Sequence, residues 1–279
     1  MRKRNSFTKL LEKFKTELKN GTFWTTALTL LTLLTCLPLA AQDKPLVIAH
    51  RGYWQSRGSA QNSIAALIRA DEIKAYAAEF DVHLTADDIL VVNHDPAIEG
   101  FEIQKSAYTA LKDLVLPNGE KIPTAREYLE AARRTQLKLV FELKPHATPE
   151  RNREAAQISV ELVKEKKLLP RTEFITFNLD AGKELIRLAP EADVYYLNGE
   201  LSPKELKELG FAGLDYHYDV MRKNPQWFKE AKALGLGINV WTVNDTALIG
   251  EMTDAGADFI TTDVPNDALK WIGTTYNRE

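Results

Sequence analysis

The chain has 279 residues, of which 44% are hydrophobic and 27% are charged, an ordinary composition for a globular protein. Cys36 is the single cysteine, which excludes an internal disulfide bond. Residues 1–41 contain seven Lys and Arg and two Glu, so residues 42–279 carry 29 Lys and Arg against 37 Asp and Glu, a formal charge of −8. This negative charge argues against nucleic-acid binding as the main task.

The N-terminal segment has the pattern of an export signal. Its seven basic residues lie within residues 1–20, residues 22–41 carry no charge, and small residues end that apolar run. This pattern predicts a signal peptide over residues 1–41, with an uncleaved membrane anchor as the alternative, and hence a periplasmic or secreted protein. Cys36 follows Thr35, where a lipobox has a small Gly or Ala, so lipidation is a weaker alternative.

Residues 42–279 suit one large domain in which apolar strands alternate with helical patterns. The predicted strands are residues 46–50, 77–83, 89–93, 137–144, 173–178, 193–197, 212–217, 237–243 and 258–262. The predicted helices are residues 63–73, 124–134, 150–167, 181–188, 203–209, 225–234, 246–255 and 267–273.

One strand breaks this alternation. Only five residues separate strand 77–83 from strand 89–93, which is too short for a helical crossover, so these two strands are expected to form an antiparallel hairpin. The other eight strands predict an α/β fold of the (β/α)₈ or TIM-barrel type. Residues 95–123 are poorly periodic, and we interpret them as an insertion over the barrel mouth after the hairpin.

Two histidines are predicted at one end of the barrel. The first strand ends in His50 and Arg51, and the hairpin strand returns His94 to the same end. An imidazole can transfer a proton near neutral pH, and a guanidinium is always charged and matches phosphate oxygens. Two histidines flanking a metal-bound anion would supply a general acid and a general base.

Three carboxylates are expected at the same end. Residues i and i+2 share a face of a strand, so Glu79 and Asp81 point the same way, as do Glu142 and Lys144. Active sites of barrels form at these C-terminal strand ends, and clustered carboxylates are normally satisfied by Mg²⁺ or Ca²⁺. The alternative is a buried salt-bridge network in which Glu79 and Asp81 pair with Lys144 or Arg51.

Seven sequence blocks are spaced along the predicted barrel. They are Ala49-His50-Arg51-Gly52, Gln61-Asn62-Ser63, Glu79-Phe80-Asp81-Val82-His83-Leu84-Thr85, Val91-Val92-Asn93-His94-Asp95, Phe141-Glu142-Leu143-Lys144, Val240-Trp241-Thr242-Val243-Asn244 and Ile260-Thr261-Thr262-Asp263-Val264-Pro265. In this order and spacing they resemble the glycerophosphodiester phosphodiesterase family over essentially all of residues 42–279. The family fold is a (β/α)₈ barrel with an insertion after the hairpin, in agreement with the strand pattern.

The resemblance implies metal-dependent hydrolysis of a small-molecule glycerophosphodiester to glycerol 3-phosphate and an alcohol. A neighbouring substrate hydroxyl would act first, through a cyclic phosphate that water then opens. Mg²⁺ or Ca²⁺ is the expected cofactor. By position in the blocks, the resemblance implies that Glu79, Asp81 and Glu142 bind the metal. It also implies that His50 and His94 are the acid/base pair and that Arg51 and Lys144 bind the phosphate.

Two further residues bear on the substrate. Trp241 ends strand 237–243 and is expected to contact the glycerol or an apolar head group, with packing at the barrel rim as the alternative. Gln61 stands where the family usually has Glu, which removes one negative charge beside the first strand. Two other functions stay open: a phosphodiesterase for another head group, and a non-catalytic barrel that binds phosphorylated ligands. Residues 1–41, if they are retained, would tether the protein to a membrane.

Overall fold

The structure, a computed structural model, describes residues 44–276, and within that range eight parallel strands close into a barrel. The strands in chain order are β1 Leu46–Ala49, β2 Ala77–Leu84, β3 Leu90–Val92, β4 Ala97–Ile98, β5 Phe101–Glu102, β6 Lys138–Leu143, β7 Thr172–Thr176, β8 Val194–Tyr196, β9 Gly213–His217, β10 Gly237–Trp241 and β11 Phe259–Thr262. The order around the barrel is β1, β2, β6, β7, β8, β9, β10 and β11, and β11 pairs with β1. The predicted (β/α)₈ barrel is confirmed.

Helices follow the barrel strands and pack on their outer faces, except for α2, which lies in the insertion after β3. They are α1 Ile64–Glu72, α2 Tyr108–Leu111, α3 Ala125–Ala132, α4 Pro149–Glu165, α5 Leu179–Leu188, α6 Pro203–Leu209, α7 Tyr218–Lys223, α8 Gln226–Leu234, α9 Thr246–Ala255 and α10 Pro265–Tyr276. Local chemistry explains where helix α6 begins: the Ser202 hydroxyl and the Glu205 carboxylate form a reciprocal capping box, with Pro203 in the first turn. The short helix α7 was not predicted from the sequence.

The predicted hairpin and insertion are also present. Strand β3 is antiparallel to β2, with Val82 opposite Val92 and Leu84 opposite Leu90. The insertion after β3 contains the small hairpin β4–β5, a 3₁₀ turn at Ile103–Lys105 and helix α2. Its own apolar cluster of Val91, Ile103, Leu111 and Ile122 packs this segment against the hairpin.

The alternation of side chains along the strands decides where the polar residues point. On β2 the ring of Phe80 points outward and stacks on Tyr128 of α3, with ring centroids 4.4 Å apart, and it also contacts Phe141 on β6. The neighbouring residues Glu79 and Asp81 therefore face the barrel interior. The outward apolar layer thus fixes the inward position of the charged residues.

The predicted export segment, residues 1–41, and Cys36 within it lie outside the described residues. Among residues 44–276, no helix combines the length and the apolar character that crossing a bilayer requires.

Candidate active site

Three buried carboxylates meet inside the barrel. Glu79 and Asp81 project from β2 and Glu142 from β6, and the parallel register places Asp81 beside Glu142. Each of the three offers one oxygen, and these oxygens all lie within 4.8 Å of one another. The side chains are buried, which keeps water from screening their mutual repulsion.

Two cations partly neutralise this cluster. The Lys144 ammonium lies 2.7 Å from Asp81 Oδ1 and 2.7 Å from Glu142 Oε1, and the Arg51 Nε lies 3.6 Å from Asp81 Oδ2. The salt-bridge network that the sequence left open is therefore present around Asp81 and Glu142. It does not extend to Glu79, whose Oε1 is buried and has no hydrogen-bond partner among the described residues.

Burial and mutual repulsion raise the pKa of two of the three carboxyls. Burial, with the neighbouring charges of Asp81 and Glu142, raises the pKa of Glu79 well above its ordinary value. Burial and the Asp81 charge also raise the pKa of Glu142, to about 7. Burial alone would raise the pKa of Asp81 too, but the Lys144 ammonium and a hydrogen bond from Asn62 hold it at about 2. A divalent cation fits this set of oxygen ligands, since Glu79 Oε1 could coordinate it and its positive charge would offset the negative charge of the carboxylates.

The turn after β1 holds the backbone against the carboxylates. Arg51 has φ +56, in the left-handed region, and from there its N–H donates to Glu79 Oε2 at 2.7 Å. Gly52 follows with φ +74, and a Cβ at this position would lie 2.7 Å from the backbone carbon of Ala66. Glycine is thus required by both conformation and space. The Arg51 guanidinium donates to Gln61 Oε1 at 2.7 Å.

Asn62 orients the central carboxylate. Its Nδ2 donates to Asp81 Oδ2 at 2.8 Å, and its Oδ1 accepts the Asp81 N–H at 3.1 Å. Asn62 has φ +63, a conformation that asparagine tolerates better than most residues. The sequence placed Asn62 within a motif but gave it no role.

His50 is held by a carboxylate from the far end of the chain. Its Nδ1 lies 2.8 Å from Asp263 Oδ1, which also accepts from Trp54 Nε1, while Asn244 Nδ2 donates to Asp263 Oδ2 at 2.7 Å. Burial alone would raise the pKa of Asp263, but the hydrogen bonds from His50, Asn244 and Trp54 lower it to about 2. An ionised carboxylate can only accept, so His50 Nδ1 carries a proton and Nε2 is the nitrogen available for chemistry.

His94 is the second histidine of the site, and its Nδ1 lies 2.8 Å from Asp95 Oδ1. Partial burial is the main reason that the pKa of His94 is lowered. His83 shares the inward face of β2 with Glu79 and Asp81, yet it does not join the carboxylate cluster. Its Nε2 lies 3.3 Å from the His94 carbonyl and its Nδ1 lies 3.0 Å from Gln104 Nε2. His83 therefore supports the backbone that carries His94.

A cavity of about 90 Å³ opens directly over these groups. One wall is aromatic: Phe177 and Trp241 meet edge to face, with ring centroids 5.8 Å apart, and Trp241 Nε1 donates to the Asp215 carbonyl at 2.8 Å. Asp81 is almost fully buried behind the cavity. The other sequence-predicted site residues all line it: His50, Arg51, Glu79, His94, Glu142, Lys144 and Trp241.

Asp215 is a cavity residue that the sequence did not single out. It lies on β9, its side chain is buried, and its Oδ1 has no hydrogen-bond partner among the described residues. Burial, with the charges of Glu142 and Glu173 nearby, raises the pKa of Asp215 to about 8. The signal that could have found it is its place in strand 212–217, two residues before His217 on the same face.

The comparisons with known proteins identify the family of this chain. Residues 50–267 match the model of the glycerophosphoryl diester phosphodiesterase family. A crystal structure of a glycerophosphodiester phosphodiesterase from Parabacteroides distasonis shows 58% identity and a TM-score of 0.83, covering 84% of this chain and 98% of that one. The structure of an Oleispira antarctica phosphodiesterase in complex with the product sn-glycerol-3-phosphate shows 28% identity and a TM-score of 0.71, covering 82% and 97%.

A relative named glycerophosphodiester phosphodiesterase, from Caldanaerobacter subterraneus subsp. tengcongensis, is 29% identical over 245 residues, which are 82% of this chain and 98% of the relative. The matches therefore cover almost the whole of each of these three relatives and more than four fifths of this chain. The motifs of the sequence predicted the same family, and the chain belongs to the glycerophosphoryl diester phosphodiesterase family.

Proposed function

We propose that this protein hydrolyses glycerophosphodiesters to sn-glycerol 3-phosphate and an alcohol, with a divalent cation bound by Glu79, Asp81 and Glu142. The observation that carries the proposal is the convergence of three carboxylates, two cations and two histidines on one small cavity. A binding protein would have no need of two proton-transfer groups in such a place. The family membership and the product complex of the Oleispira antarctica phosphodiesterase support the same reaction.

The cavity suits the glycerol half of the substrate. Its small volume matches a three-carbon unit, and the edge-to-face pair of Phe177 and Trp241 offers an apolar wall for the carbon chain. Arg51 and Lys144 lie at the polar side, where their charges would contact the phosphate oxygens. When bound, Mg²⁺ or Ca²⁺ would stabilise the charge that develops on the non-bridging oxygens.

The two histidines can divide the proton transfers between them. His50 Nε2 would accept the proton of the glycerol hydroxyl next to the phosphate, and that oxygen would form a new bond to phosphorus. The bond from phosphorus to the leaving alcohol would break, and His94 would donate a proton to the departing oxygen. Water would then open the cyclic phosphate with the two proton transfers reversed, which leaves glycerol 3-phosphate.

The placement of the histidines supports this division. His50 lines the small cavity, whereas His94 lines both this cavity and a larger one beside it, to which His50 does not contribute. The hydrogen bond from His50 Nδ1 to Asp263 fixes the ring and would stabilise the imidazolium that forms when Nε2 accepts a proton.

The test is an assay of glycerol 3-phosphate release from several glycerophosphodiesters by the full chain in Mg²⁺ or Ca²⁺. Glu79→Gln serves as the matched control, because it keeps the size of the side chain and removes one ligand charge. Release by the wild type and its loss in the variant would support the proposal. Binding of the diesters without hydrolysis at any metal concentration would overturn it and favour a ligand-binding barrel, and release of another phosphate product would favour another head-group class.

We also propose that the protein is exported, from the charge pattern of residues 1–41. Cell fractionation followed by N-terminal sequencing of the mature protein tests this. A new N-terminus near residue 42 in the periplasm or medium would indicate cleavage, and an intact N-terminus in the membrane fraction would indicate a retained anchor. An intact protein in the cytoplasm would contradict the proposal.

A further inference from the structure

A second cavity, of about 580 Å³, lies beside the first at the mouth of the barrel. The two cavities share His94 and Lys144, so a phosphodiester seated over the carboxylates would reach from one into the other. The wall of the larger cavity comes from the insertion after β3 and from the segment after β6, through residues such as Gln104 and Ala147. Its volume is within the range of pockets that enclose a whole small ligand.

The charged side chains of this wall already have partners. Lys105 Nζ lies 2.6 Å from Glu102 Oε2, and Arg151 NH1 lies 2.6 Å from Asp88 Oδ1 and 2.5 Å from Glu154 Oε2. A bound group therefore needs no net charge to complement the cavity. A quaternary ammonium is normally bound by aromatic faces, and among the described lining residues the only rings besides prolines are histidine imidazoles.

Gln104 gives this wall a fixed hydrogen-bonding group. Its Nε2 donates to the Pro145 carbonyl at 2.9 Å and lies 3.0 Å from His83 Nδ1. A carbonyl can only accept, so the amide nitrogen must face Pro145, and the amide oxygen remains as an acceptor for a ligand hydroxyl. The same amide joins the insertion to the barrel, which holds the wall in place.

We propose that the larger cavity binds the leaving alcohol of the substrate, and that this alcohol is an uncharged polyol of the size of a sugar or a cyclitol. The inference rests on the proposed phosphodiesterase function and extends it to the second half of the substrate. A wall whose cationic side chains are already paired, and which has a hydrogen-bonding amide but no Phe, Tyr or Trp ring among its described residues, suits several hydroxyl groups better than a choline-like cation. The position of His94 between the cavities places a proton donor at the bond that breaks.

The test compares substrates that share glycerol 3-phosphate but differ in the alcohol: an inositol diester, a choline diester and a methyl diester. Ala147 is exposed and lines the larger cavity but not the smaller one, so Ala147→Phe should narrow the larger cavity alone. Ala233→Phe is the matched control, because Ala233 is an exposed residue of helix α8 that lines neither cavity. Saturation-transfer NMR with free myo-inositol gives a readout that is independent of turnover.

We expect the wild type to prefer the inositol diester over the choline diester. Ala147→Phe should lower kcat/KM for the inositol diester at least about tenfold, mainly through KM, with the methyl diester and the Ala233→Phe control within about twofold of the wild type. The inositol NMR signal should also fall in Ala147→Phe. An equal loss of kcat/KM on all diesters in Ala147→Phe, or no loss on any, would contradict the proposed subsite. Release of glycerol 3-phosphate by the wild type would in that case still support the phosphodiesterase function. A wild type that hydrolyses no diester would overturn both.

Discussion

Asp215→Asn is predicted to stabilise the protein at neutral pH. The wild-type carboxyl is buried in the barrel with one oxygen lacking a hydrogen-bond partner among the described residues, and its pKa is raised to about 8, chiefly by burial. Below about pH 4 both the folded and the unfolded chain hold this proton. Between pH 4 and 8 only the unfolded chain releases it, so each step up in pH favours unfolding. Asparagine has nearly the same shape and cannot ionise, so the variant lacks this penalty.

The size of the effect follows from the raised pKa. Each pH unit between the unfolded and folded pKa values costs about 1.4 kcal/mol of stability. From pH 5 to pH 7.5 the wild type should therefore lose about 3 kcal/mol relative to Asp215→Asn. The amide N–H₂ of the variant also changes the free energy of unfolding, but by the same amount at both pH values. The difference between the two measurements therefore reports only the ionisation of Asp215.

Urea unfolding at pH 5 and pH 7.5 measures this difference. Asp180→Asn, at an exposed position in the first turn of helix α5, is the control and should show no comparable change between the two pH values. If the stability difference between Asp215→Asn and the wild type were the same at both pH values, Asp215 would not hold its proton in the folded protein, and the description of a neutral carboxyl beneath the cavity would be wrong.

Four further substitutions test the two histidines and the residues that contact His50 and Arg51. His50→Ala and His94→Ala should each lower kcat for diester hydrolysis about 10²- to 10⁴-fold with an unchanged circular dichroism spectrum, and normal turnover in either would remove that histidine from proton transfer. Asp263→Asn should lower kcat more than it raises KM, because the amide oxygen can still accept from His50 but no longer carries the negative charge that stabilises the imidazolium; steady-state kinetics with unchanged kcat would contradict this. Gln61→Glu should bind divalent cations more tightly in calorimetry, because it adds a negative charge beside Arg51. Equal or weaker binding would show that the charge at position 61 does not strengthen the metal site.

Much of the barrel could be predicted because its pattern is local. The alternation in strand 77–83 put Glu79 and Asp81 on one face, and in the structure both face the barrel interior while Phe80 between them packs outward on Tyr128. The five-residue link after this strand excluded a crossover and so predicted the hairpin with β3. Strand ends that carry charged residues belong at the barrel mouth, which is why the predicted site residues converge in space.

The side-chain partners could not be predicted, because they join distant parts of the chain. His50 and Asp263 are 213 residues apart, and only the closure of β11 onto β1 brings them together. Trp54, which also donates to Asp263, comes from a loop with no periodic pattern. Asp215 looked like one polar residue in an apolar strand, and its pKa depends on burial that only the closed barrel creates.

The insertion shows the same limit. Residues 95–123 carry too little periodicity to predict the β4–β5 hairpin or the turn that contains Gln104. For this reason the sequence could place His83 on the face of the carboxylates but could not show that Gln104 and the His94 carbonyl would occupy both of its ring nitrogens. The larger cavity is lined in part by the same segment, so it could not be predicted from the sequence either.

The most direct test of the metal-dependent phosphodiesterase is to measure glycerol 3-phosphate release by chelator-treated protein before and after Mg²⁺ or Ca²⁺ is returned. We predict no release from the metal-free wild type, recovery on adding either Mg²⁺ or Ca²⁺, and no recovery in Glu142→Gln, which lacks one carboxylate of the cluster. Full activity in the metal-free wild type would contradict the account.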